Sequence, residues 1–275
     1  MFIDTHIHTN KFSNDAVMPV MDLISYAKTN PSTVLCTTEH YDYDYPDKEN
    51  QLIFDLEEYF LKFTCDKNSI ENITQISTPY LLGIEYGYME HLGAYYNNLS
   101  GKYPFDSIIC SAHYFDNCDP YFDRQIYQND KHIVYGRYLE TIIHSLENCD
   151  GFDVVGHFDY ICRYAPYPDK KMYYRDFPSL FDTIFSLCIE KGKALELNTR
   201  TSAIFLSENR NDFMFDIDIL TRYRKMGGEL ITFGSDAHQL DSILTLFNET
   251  KTILKETGFK NLVYYKQRSP IFVPI

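Results

Sequence analysis

Residues 1–9 read Met1-Phe2-Ile3-Asp4-Thr5-His6-Ile7-His8-Thr9, a short apolar run that ends in two histidines separated by one residue. In an extended strand the side chains of residues i and i+2 point to the same face, so the imidazoles of His6 and His8 should lie side by side. Such a pair at the end of a strand can form half of a metal site. For this motif alone, two ordinary hydrogen-bonded histidines are an equally good interpretation.

Other strand-like runs also end in motifs that carry imidazole or carboxylate side chains. These motifs are Thr38-Glu39-His40, Gly83-Ile84-Glu85, Ser111-Ala112-His113, Gly156-His157-Phe158 and Gly234-Ser235-Asp236-Ala237-His238. Six of the nine histidines therefore stand at predicted strand ends, and this joint placement favours a shared metal site over separate polar groups of the core. The remaining histidines, His91, His132 and His144, lie in or beside predicted helices or loops and are interpreted as structural.

Strand-like and helix-like patterns alternate along the chain. Predicted strands cover residues 2–5, 34–38, 80–85, 107–112, 152–157, 194–198 and 230–235, and predicted helices cover residues 18–29, 52–64, 138–147, 180–191, 215–226 and 242–256. Strands that alternate with helices are parallel and joined by crossovers, so this number of units predicts an α/β barrel or a large open sheet. A last apolar run at residues 261–265 could help to close it.

Three connections after predicted strands, at residues 41–50, 114–136 and 158–178, are long and rich in Tyr, Asp and Pro. Active sites of parallel α/β folds lie at the C-terminal edge of the strands, where such loops gather. The loops either enclose a substrate or merely decorate the surface, and the sequence favours the two interpretations about equally.

The composition describes a globular chain, with 275 residues, 44% hydrophobic and 23% charged, and without a long apolar run. One domain over residues 1–275 is expected, with no membrane span. A formal net charge of −14 argues against nucleic acid as a partner and suits divalent cations. The seven cysteines form no Cys-x-x-Cys pair and suggest buried reduced thiols, and the first strand leaves no room for a leader, so the cytoplasm is expected.

The candidate ligands are too many for one ion. They are His6, His8, His40, Glu85, His113, His157, Asp236 and His238. Divalent transition metals bind neutral imidazole and carboxylate, so we expect two or three ions, with zinc, manganese or iron as candidates. Glu85 has two carboxylate oxygens and could bridge two of these ions.

The ordered set of motifs, from His-x-His to Gly-Ser-Asp-Ala-His, resembles the polymerase and histidinol phosphatase (PHP) superfamily over nearly the whole chain. Two further segments, His157-Phe158-Asp159-Tyr160 followed by Arg163, and Glu196-Leu197-Asn198-Thr199-Arg200, are similar to its histidinol-phosphate phosphatase branch. The resemblance implies a distorted (β/α)7 barrel, similar to a TIM barrel, with a trinuclear metal centre. It also implies a role in histidine biosynthesis.

The resemblance also implies a ligand set for each ion. The first ion would be held by His6, His8, Glu85 and Asp236, the second by Glu85, His113 and His157, and the third by His40, His238 and Asp15. Several family members have a histidine where Asn14-Asp15 stand in this chain. Arg163 and Arg200 would hold the phosphate.

The expected reaction is hydrolysis of L-histidinol phosphate by a metal-bridging hydroxide that attacks phosphorus, with Glu85, Asp236, Arg163 and Arg200 as the catalytic residues. The substrate carries a cationic amine, which an acidic residue of the loops could bind. The candidates are Asp42, Asp44, Asp116 and Asp159. The sequence does not choose among them, and it gives no oligomeric state.

Three alternatives remain open. A phosphoesterase of the same superfamily could act on a nucleotide or a phosphodiester. A metal-dependent amidohydrolase also begins with His-x-His, but it usually needs a metal-bridging lysine after a middle strand, where this chain has Glu85 and His113. A regulatory barrel that binds metal without catalysis is the third.

Overall fold

The computed structural model describes residues 1–47, 52–74 and 80–275. Its main sheet contains seven strands in chain order, each parallel to the next. The strands are β1 (Phe2–Ile7), β2 (Thr33–Tyr41), β3 (Tyr80–Gly87), β4 (Ser107–Ser111), β5 (Val154–Val155), β6 (Ala194–Asn198) and β7 (Ile231–Gly234). All seven predicted strands are present, with ends that differ by a few residues.

The two outer strands of this sheet meet and nearly close it into a barrel. Ile7 at the end of β1 forms a parallel bridge with Ala237, which follows β7. The backbone N–H of His8 donates to Ala237 O at 2.9 Å, and the N–H of Ala237 donates to His6 O at 3.3 Å. The predicted distorted (β/α)7 barrel of the α/β class is therefore confirmed.

The helices lie between the strands along the chain. They are α1 (Val20–Thr29), α2 (Leu56–Thr74), α3 (Gly93–Ser100), α4 (Lys131–Asn148), α5 (Tyr160–Arg163), α6 (Pro178–Lys191), α7 (Arg200–Ser207), α8 (Ile217–Lys225) and α9 (Phe247–Glu256). The apolar pattern of the sequence did not predict α3, α5 and α7, because helices of eight residues or fewer have too few turns for an apolar period to stand out. None of the described helices combines the length and apolar character needed to span a bilayer.

The run at residues 261–265 does not help to close the barrel, so that expectation was wrong. It lies in β8 (Asn261–Lys266), which pairs antiparallel with β9 (Ser269–Pro274) in a separate hairpin. The hairpin docks on the segment before β4, where the N–H of Arg268 donates to Asp106 O at 3.0 Å. Val263 and Tyr265 pack with Ile109, Val154 and Ala194 of the barrel strands. The hairpin thus covers the N-terminal ends of the strands, opposite the end where the polar motifs gather.

The seven cysteines are free thiols, and all except Cys65 are buried. The expectation of buried reduced cysteines is confirmed for the other six.

Candidate metal centre

The C-terminal ends of the strands bring the nine predicted ligands together at one end of the barrel. His6 lies in β1, His40 in β2 and Glu85 in β3, and the others follow strand ends or lie in the loop before α1. The nine residues are His6, His8, Asp15, His40, Glu85, His113, His157, Asp236 and His238. Eight are buried, and Asp15 is half-buried.

Glu85 lies at the centre of this cluster. Its Oε2 is 3.3 Å from His6 Nε2, 3.6 Å from His8 Nε2 and 2.7 Å from His40 Nδ1. Its Oε1 is 2.9 Å from His157 Nε2 and 3.3 Å from His113 Nε2. Each oxygen therefore faces a different set of imidazoles, which is the arrangement needed for a carboxylate shared by two ions.

The outer ligands lie beside one another around Glu85. His8 Nε2 lies 3.3 Å from Asp236 Oδ1, beside His6. The Nε2 atoms of His113 and His157 are 3.3 Å apart. Asp15 Oδ2 lies 2.9 Å from His238 Nε2 and 3.6 Å from His40 Nε2. Within the described residues, four groups of three side chains are close enough to share an ion: His8, His40 and His238; His6, His8 and Asp236; His40, Asp42 and His113; and Glu85, His113 and His157.

Several atoms of the cluster are buried without a hydrogen-bond partner in the described structure. They include His6 Nε2, His8 Nε2, His40 Nδ1, Glu85 Oε2 and Asp15 Oδ1. Buried polar atoms are nearly always satisfied in proteins, and leaving one unpaired costs about 1–3 kcal/mol. A divalent cation would satisfy nitrogen and carboxylate oxygen atoms that face one another, so the residues fit a metal centre.

The ring nitrogens that face away from the cluster have hydrogen-bond partners that were not predicted. His6 Nδ1 lies 2.6 Å from Glu196 Oε1, and the other oxygen of Glu196 accepts from the backbone N–H of His157 at 2.7 Å. His8 Nδ1 lies 3.3 Å from Ser13 Oγ, which donates to Glu39 at 2.7 Å. Such partners fix the ring orientation of metal-binding histidines and raise their basicity.

His113 is oriented by a carboxylate. Asp42 Oδ1 lies 3.2 Å from His113 Nδ1, which leaves His113 Nε2 facing Glu85. Burial opposes protonation of this histidine, but Asp42 and Glu85 outweigh it and raise the pKa of His113 to about 10. The loop after β2 therefore supports the cluster through Asp42.

Gly234 gives Glu196 access to His6. A Cβ atom on Gly234 would overlap Glu196 Oε1 and lie 2.6 Å from His6 Cβ. Gly101 offers a contrast, since a Cβ there would meet nothing closer than Asn98 O at 3.8 Å. The glycine in the Gly-Ser-Asp-Ala-His motif is thus required by close packing behind a ligand.

The carboxylates of the cluster are strongly stabilised as anions. Burial alone would raise the pKa of Glu85, but the imidazoles of His6, His40 and His113 hold it well below its usual range. Burial likewise opposes ionisation of Asp236, and Arg200, Arg163 and His6 lower its pKa well below the ordinary value. These carboxylates require positive charge beside them, which either protonated imidazoles or divalent cations supply.

Asp236 has an unusual backbone conformation for a residue other than glycine. Its φ is 54°, in the left-handed region. Asp tolerates this region better than most residues, and strain of this kind is concentrated at functional sites. The turn directs Oδ1 toward His8 and Oδ2 toward Arg163, which is 2.8 Å away.

Both predicted phosphate-binding arginines reach Asp236, but they differ in exposure. Arg163 is buried, and it also donates to Thr201 Oγ1 at 3.0 Å and to Asn198 Oδ1 at 2.8 Å. Arg200 Nη1 lies 3.2 Å from Asp236 Oδ1, and its side chain is 30% exposed. Arg200 Nη1 also lies 2.7 Å from His238 Nδ1, so both arginines have partners and Arg200 is the more exposed of the two.

A cavity of about 280 Å³ opens onto the cluster. Its walls include His40, His113, His157, Asp236, Arg163 and Arg200, together with residues of the three long loops: Asp42, Asp119, Tyr121, Phe122, Tyr160 and Tyr164. Of the two interpretations of these loops, enclosure of a ligand is the one that this geometry supports. Residues 48–50, in the first loop, lie outside the described part of the chain.

The three histidines interpreted as structural lie outside the cluster. His91 Nε2 is 3.1 Å from Asp44 at the surface, the ring of His132 stacks on Phe177 at 4.5 Å, and His144 Nδ1 is 2.7 Å from Tyr88 Oη. Each has a local partner that explains it.

The sequence model of the PHP domain matches residues 4–200, which is most of the chain. The chain belongs to the PHP domain family. Its similarity to a probable histidinol-phosphatase of Clostridium acetobutylicum is 29% identity over 269 residues, covering 97% of this chain and 98% of the relative. A histidinol-phosphatase of Lactococcus lactis is 27% identical over 264 residues, covering 96% of this chain and 94% of the relative.

Solved structures share the fold of this chain. The crystal structure of the Lactococcus lactis histidinol phosphate phosphatase in complex with zinc, L-histidinol and phosphate has a TM-score of 0.83 and 26% identity, and 98% of each chain is covered. The putative histidinol phosphatase of Listeria monocytogenes, at 17% identity, has a TM-score of 0.70 over 90% of this chain and 99% of its own, and it supports the barrel fold.

We expect Glu85→Ala to remove bound metal, because it deletes the carboxylate that faces five imidazoles. Elemental analysis of the purified variant should show a loss of at least one divalent ion per chain relative to the parent. Glu140→Ala, which removes an exposed carboxylate from α4, serves as the control and should keep the parental metal content. Full metal content in Glu85→Ala would contradict the central role of this residue.

Gly234→Ala should weaken metal binding by displacing Glu196 from His6. Loss of such an orienting partner typically costs about 10–100-fold in metal affinity, which competition with a chelator measures. Gly101→Ala adds the same methyl group at an open position and should bind metal like the parent. Equal affinities of the two variants would show that Glu196 does not depend on this close approach.

Proposed function

We propose that this chain is a metal-dependent phosphomonoesterase that hydrolyses L-histidinol phosphate to L-histidinol and phosphate, a step of histidine biosynthesis. One observation carries the proposal: the cavity that exposes the ligand cluster also presents the guanidinium groups of Arg163 and Arg200. The names of the full-length relatives, and the histidinol and phosphate bound in the Lactococcus lactis structure, support this substrate.

Two or three divalent ions would be held by the nine clustered residues. His6, His8, Glu85 and Asp236 would hold the first ion, Glu85, His113 and His157 the second, and Asp15, His40 and His238 the third. Bound divalent ions neutralise phosphate oxygens and lower the pKa of coordinated water, which is the chemistry that phosphate ester hydrolysis needs. Zinc is the ion in the Lactococcus lactis structure, and manganese and iron also suit these donors.

The chain itself contributes positioning and charge. A guanidinium group can hold two phosphate oxygens at once, and Asp236 keeps both arginines directed at the cavity. Arg163 has five N–H donors, and its contacts with Thr201, Asn198 and Asp236 leave some of them for a ligand. Arg200, whose side chain is 30% exposed, would make a second contact with the phosphate.

The net charge supports a small ligand, and the cysteines support a location in the cytoplasm. A net charge of −14 favours a small phosphomonoester over a nucleic acid as the ligand. Seven free thiols suit a reducing compartment, so we place the protein in the cytoplasm.

Release of inorganic phosphate tests the proposed reaction. With zinc or manganese added, kcat/KM for L-histidinol phosphate should exceed that for nucleoside monophosphates and for bis(p-nitrophenyl) phosphate by roughly 100-fold, since a site built for polar contacts discriminates strongly. A preference for a nucleotide or a diester would assign the chain to another phosphoesterase activity. No phosphate release from any of these esters would reject the proposal.

Arg200→Ala should lower kcat/KM for L-histidinol phosphate by about 100–1000-fold, the range seen when one preorganised donor to a developing anion is removed. Metal content should stay at the parental level, because Arg200 is not among the predicted ligands. Arg163→Ala should show a similar loss. The matched control is Arg175→Ala, whose guanidinium lies on a 72% exposed side chain away from the cavity. Parental turnover by both Arg163→Ala and Arg200→Ala would contradict the phosphate-binding role.

A further inference from the structure

The cavity that opens onto the ligand cluster has Arg163 and Arg200 at one end. Its other end is formed by Asp119, in the long loop after β4. The residue lines the cavity and is only 6% exposed. One carboxylate oxygen accepts from Tyr160 Oη at 2.8 Å and from the backbone N–H of Tyr121 at 2.9 Å. The other accepts from Tyr45 Oη at 3.0 Å. All three donors are neutral.

No lysine or arginine side chain of the described residues forms an ion pair with Asp119. Burial raises the pKa of Asp119, and the attraction of His113 offsets only part of this effect. Its two oxygens can accept about four hydrogen bonds, so the three described donors leave room for another. The cavity is the side from which a further donor can arrive.

Each of the other acidic candidates for the substrate amine has a described partner of its own. Asp42 is engaged with His113, and Asp44 with His91 at the surface. Asp116 pairs with Arg137 at 2.7 Å, also at the surface. Asp159 accepts from Thr201 and is not part of the cavity wall. Outside the predicted ligands, Asp42 and Asp119 both line the cavity. Asp42 faces the imidazole of His113, whereas the described donors to the Asp119 carboxylate are all neutral.

Aromatic rings surround this end of the cavity. Tyr121 lies 4.7 Å from Phe122 and 5.8 Å from Tyr164, measured between ring centroids, and Tyr164 lies 5.5 Å from Tyr160. Aromatic faces attract cations and stack on flat heterocycles. A carboxylate among such rings is suited to an organic cation.

Tyr160 connects the two ends of the cavity. Its ring centroid is 5.1 Å from that of His157 and 5.2 Å from Arg163 Cζ, while its hydroxyl reaches Asp119. A ligand whose phosphate lies on Arg163 and the metal ligands must therefore extend along one tyrosine to reach Asp119. The two ends of the cavity therefore suit an anionic group and a cationic group of one small molecule.

We propose that Asp119 selects the substrate by its cationic leaving group, binding an ammonium or imidazolium group between the rings of Tyr121, Tyr160 and Tyr164. The inference rests on the proposed phosphatase function and identifies the residue that makes the site specific. Asp119 acts in binding and touches no reacting atom.

The test compares Asp119→Asn with the parent protein on phosphate esters with and without a cationic group. The substitution keeps the shape of the side chain and removes its charge. We expect kcat/KM for L-histidinol phosphate to fall by about 10–100-fold, mainly through KM, as for the loss of one charge-assisted hydrogen bond. For p-nitrophenyl phosphate, which has no cationic group, the decrease in kcat/KM should be at least ~10-fold smaller. Asp116→Asn, in the same loop but paired at the surface, should match the parent on both esters.

Two analogues identify the cation. One is histidinol phosphate without its amino group, and the other is 2-aminopropyl phosphate, which has no imidazole. The analogue that lacks the group bound by Asp119 should be insensitive to Asp119→Asn. An equal loss for every ester, or no loss for L-histidinol phosphate, would overturn the inference.

A measurement on the unsubstituted protein covers the case in which the variant does not fold. The parent should hydrolyse 2-aminopropyl phosphate or L-histidinol phosphate with higher kcat/KM than propyl phosphate, and equal values for all three would overturn the role of Asp119. If the parent discriminates by charge but barely hydrolyses L-histidinol phosphate, the proposed function fails while the cation selection stands.

Discussion

The rest of the site depends on the contact between the buried carboxylate of Glu85 and the five imidazoles around it, of which His6, His40 and His113 attract its charge and lower its pKa. Removing these charges from water is costly, and the cost is offset only where opposite charges meet at close range. The barrel makes this possible because it brings the ends of neighbouring parallel strands to one edge. Glu196 and Asp42 then hold the imidazoles of His6 and His113 so that the other ring nitrogen faces the centre.

The same electrostatic requirement explains how the two arginines are placed. Asp236 faces the imidazoles with one oxygen and the guanidinium of Arg163 with the other, so a single carboxylate links the ligand cluster to the guanidinium groups that line the cavity. Its left-handed backbone makes this double contact possible. The arrangement places positive charge on two sides of the space where a phosphate would lie.

Most of the barrel and most of the site could be predicted from sequence for a physical reason. Short, nearly continuous apolar runs rich in β-branched or aromatic residues mark buried parallel strands, and polar residues that end such runs gather at the same edge of the sheet. That reasoning located His6, Glu85 and His157. It could not find Glu196, because a carboxylate within a strand carries no local sign of its distant partner.

Asp119 was missed for a related reason. It lies in a loop with several other aspartates, and only the folded structure shows that Asp42, Asp44 and Asp116 are already engaged while Asp119 faces the cavity. The hairpin at residues 261–274 shows the same limitation, since an apolar run does not reveal whether it pairs with the barrel or covers its base. Loop and edge contacts depend on distant parts of the chain, which spacing alone does not encode.

Closure of the barrel through Ile7 and Ala237 has a consequence for assembly of the protein. Two of the clustered imidazoles come from the first nine residues, whereas Asp236 and His238 come from the segment against which they pair, more than two hundred positions later. Contacts between such distant segments form late, since a large loop must be closed first. Capture of divalent ions should therefore coincide with the final topological step of folding, so that metal uptake reports a completed barrel.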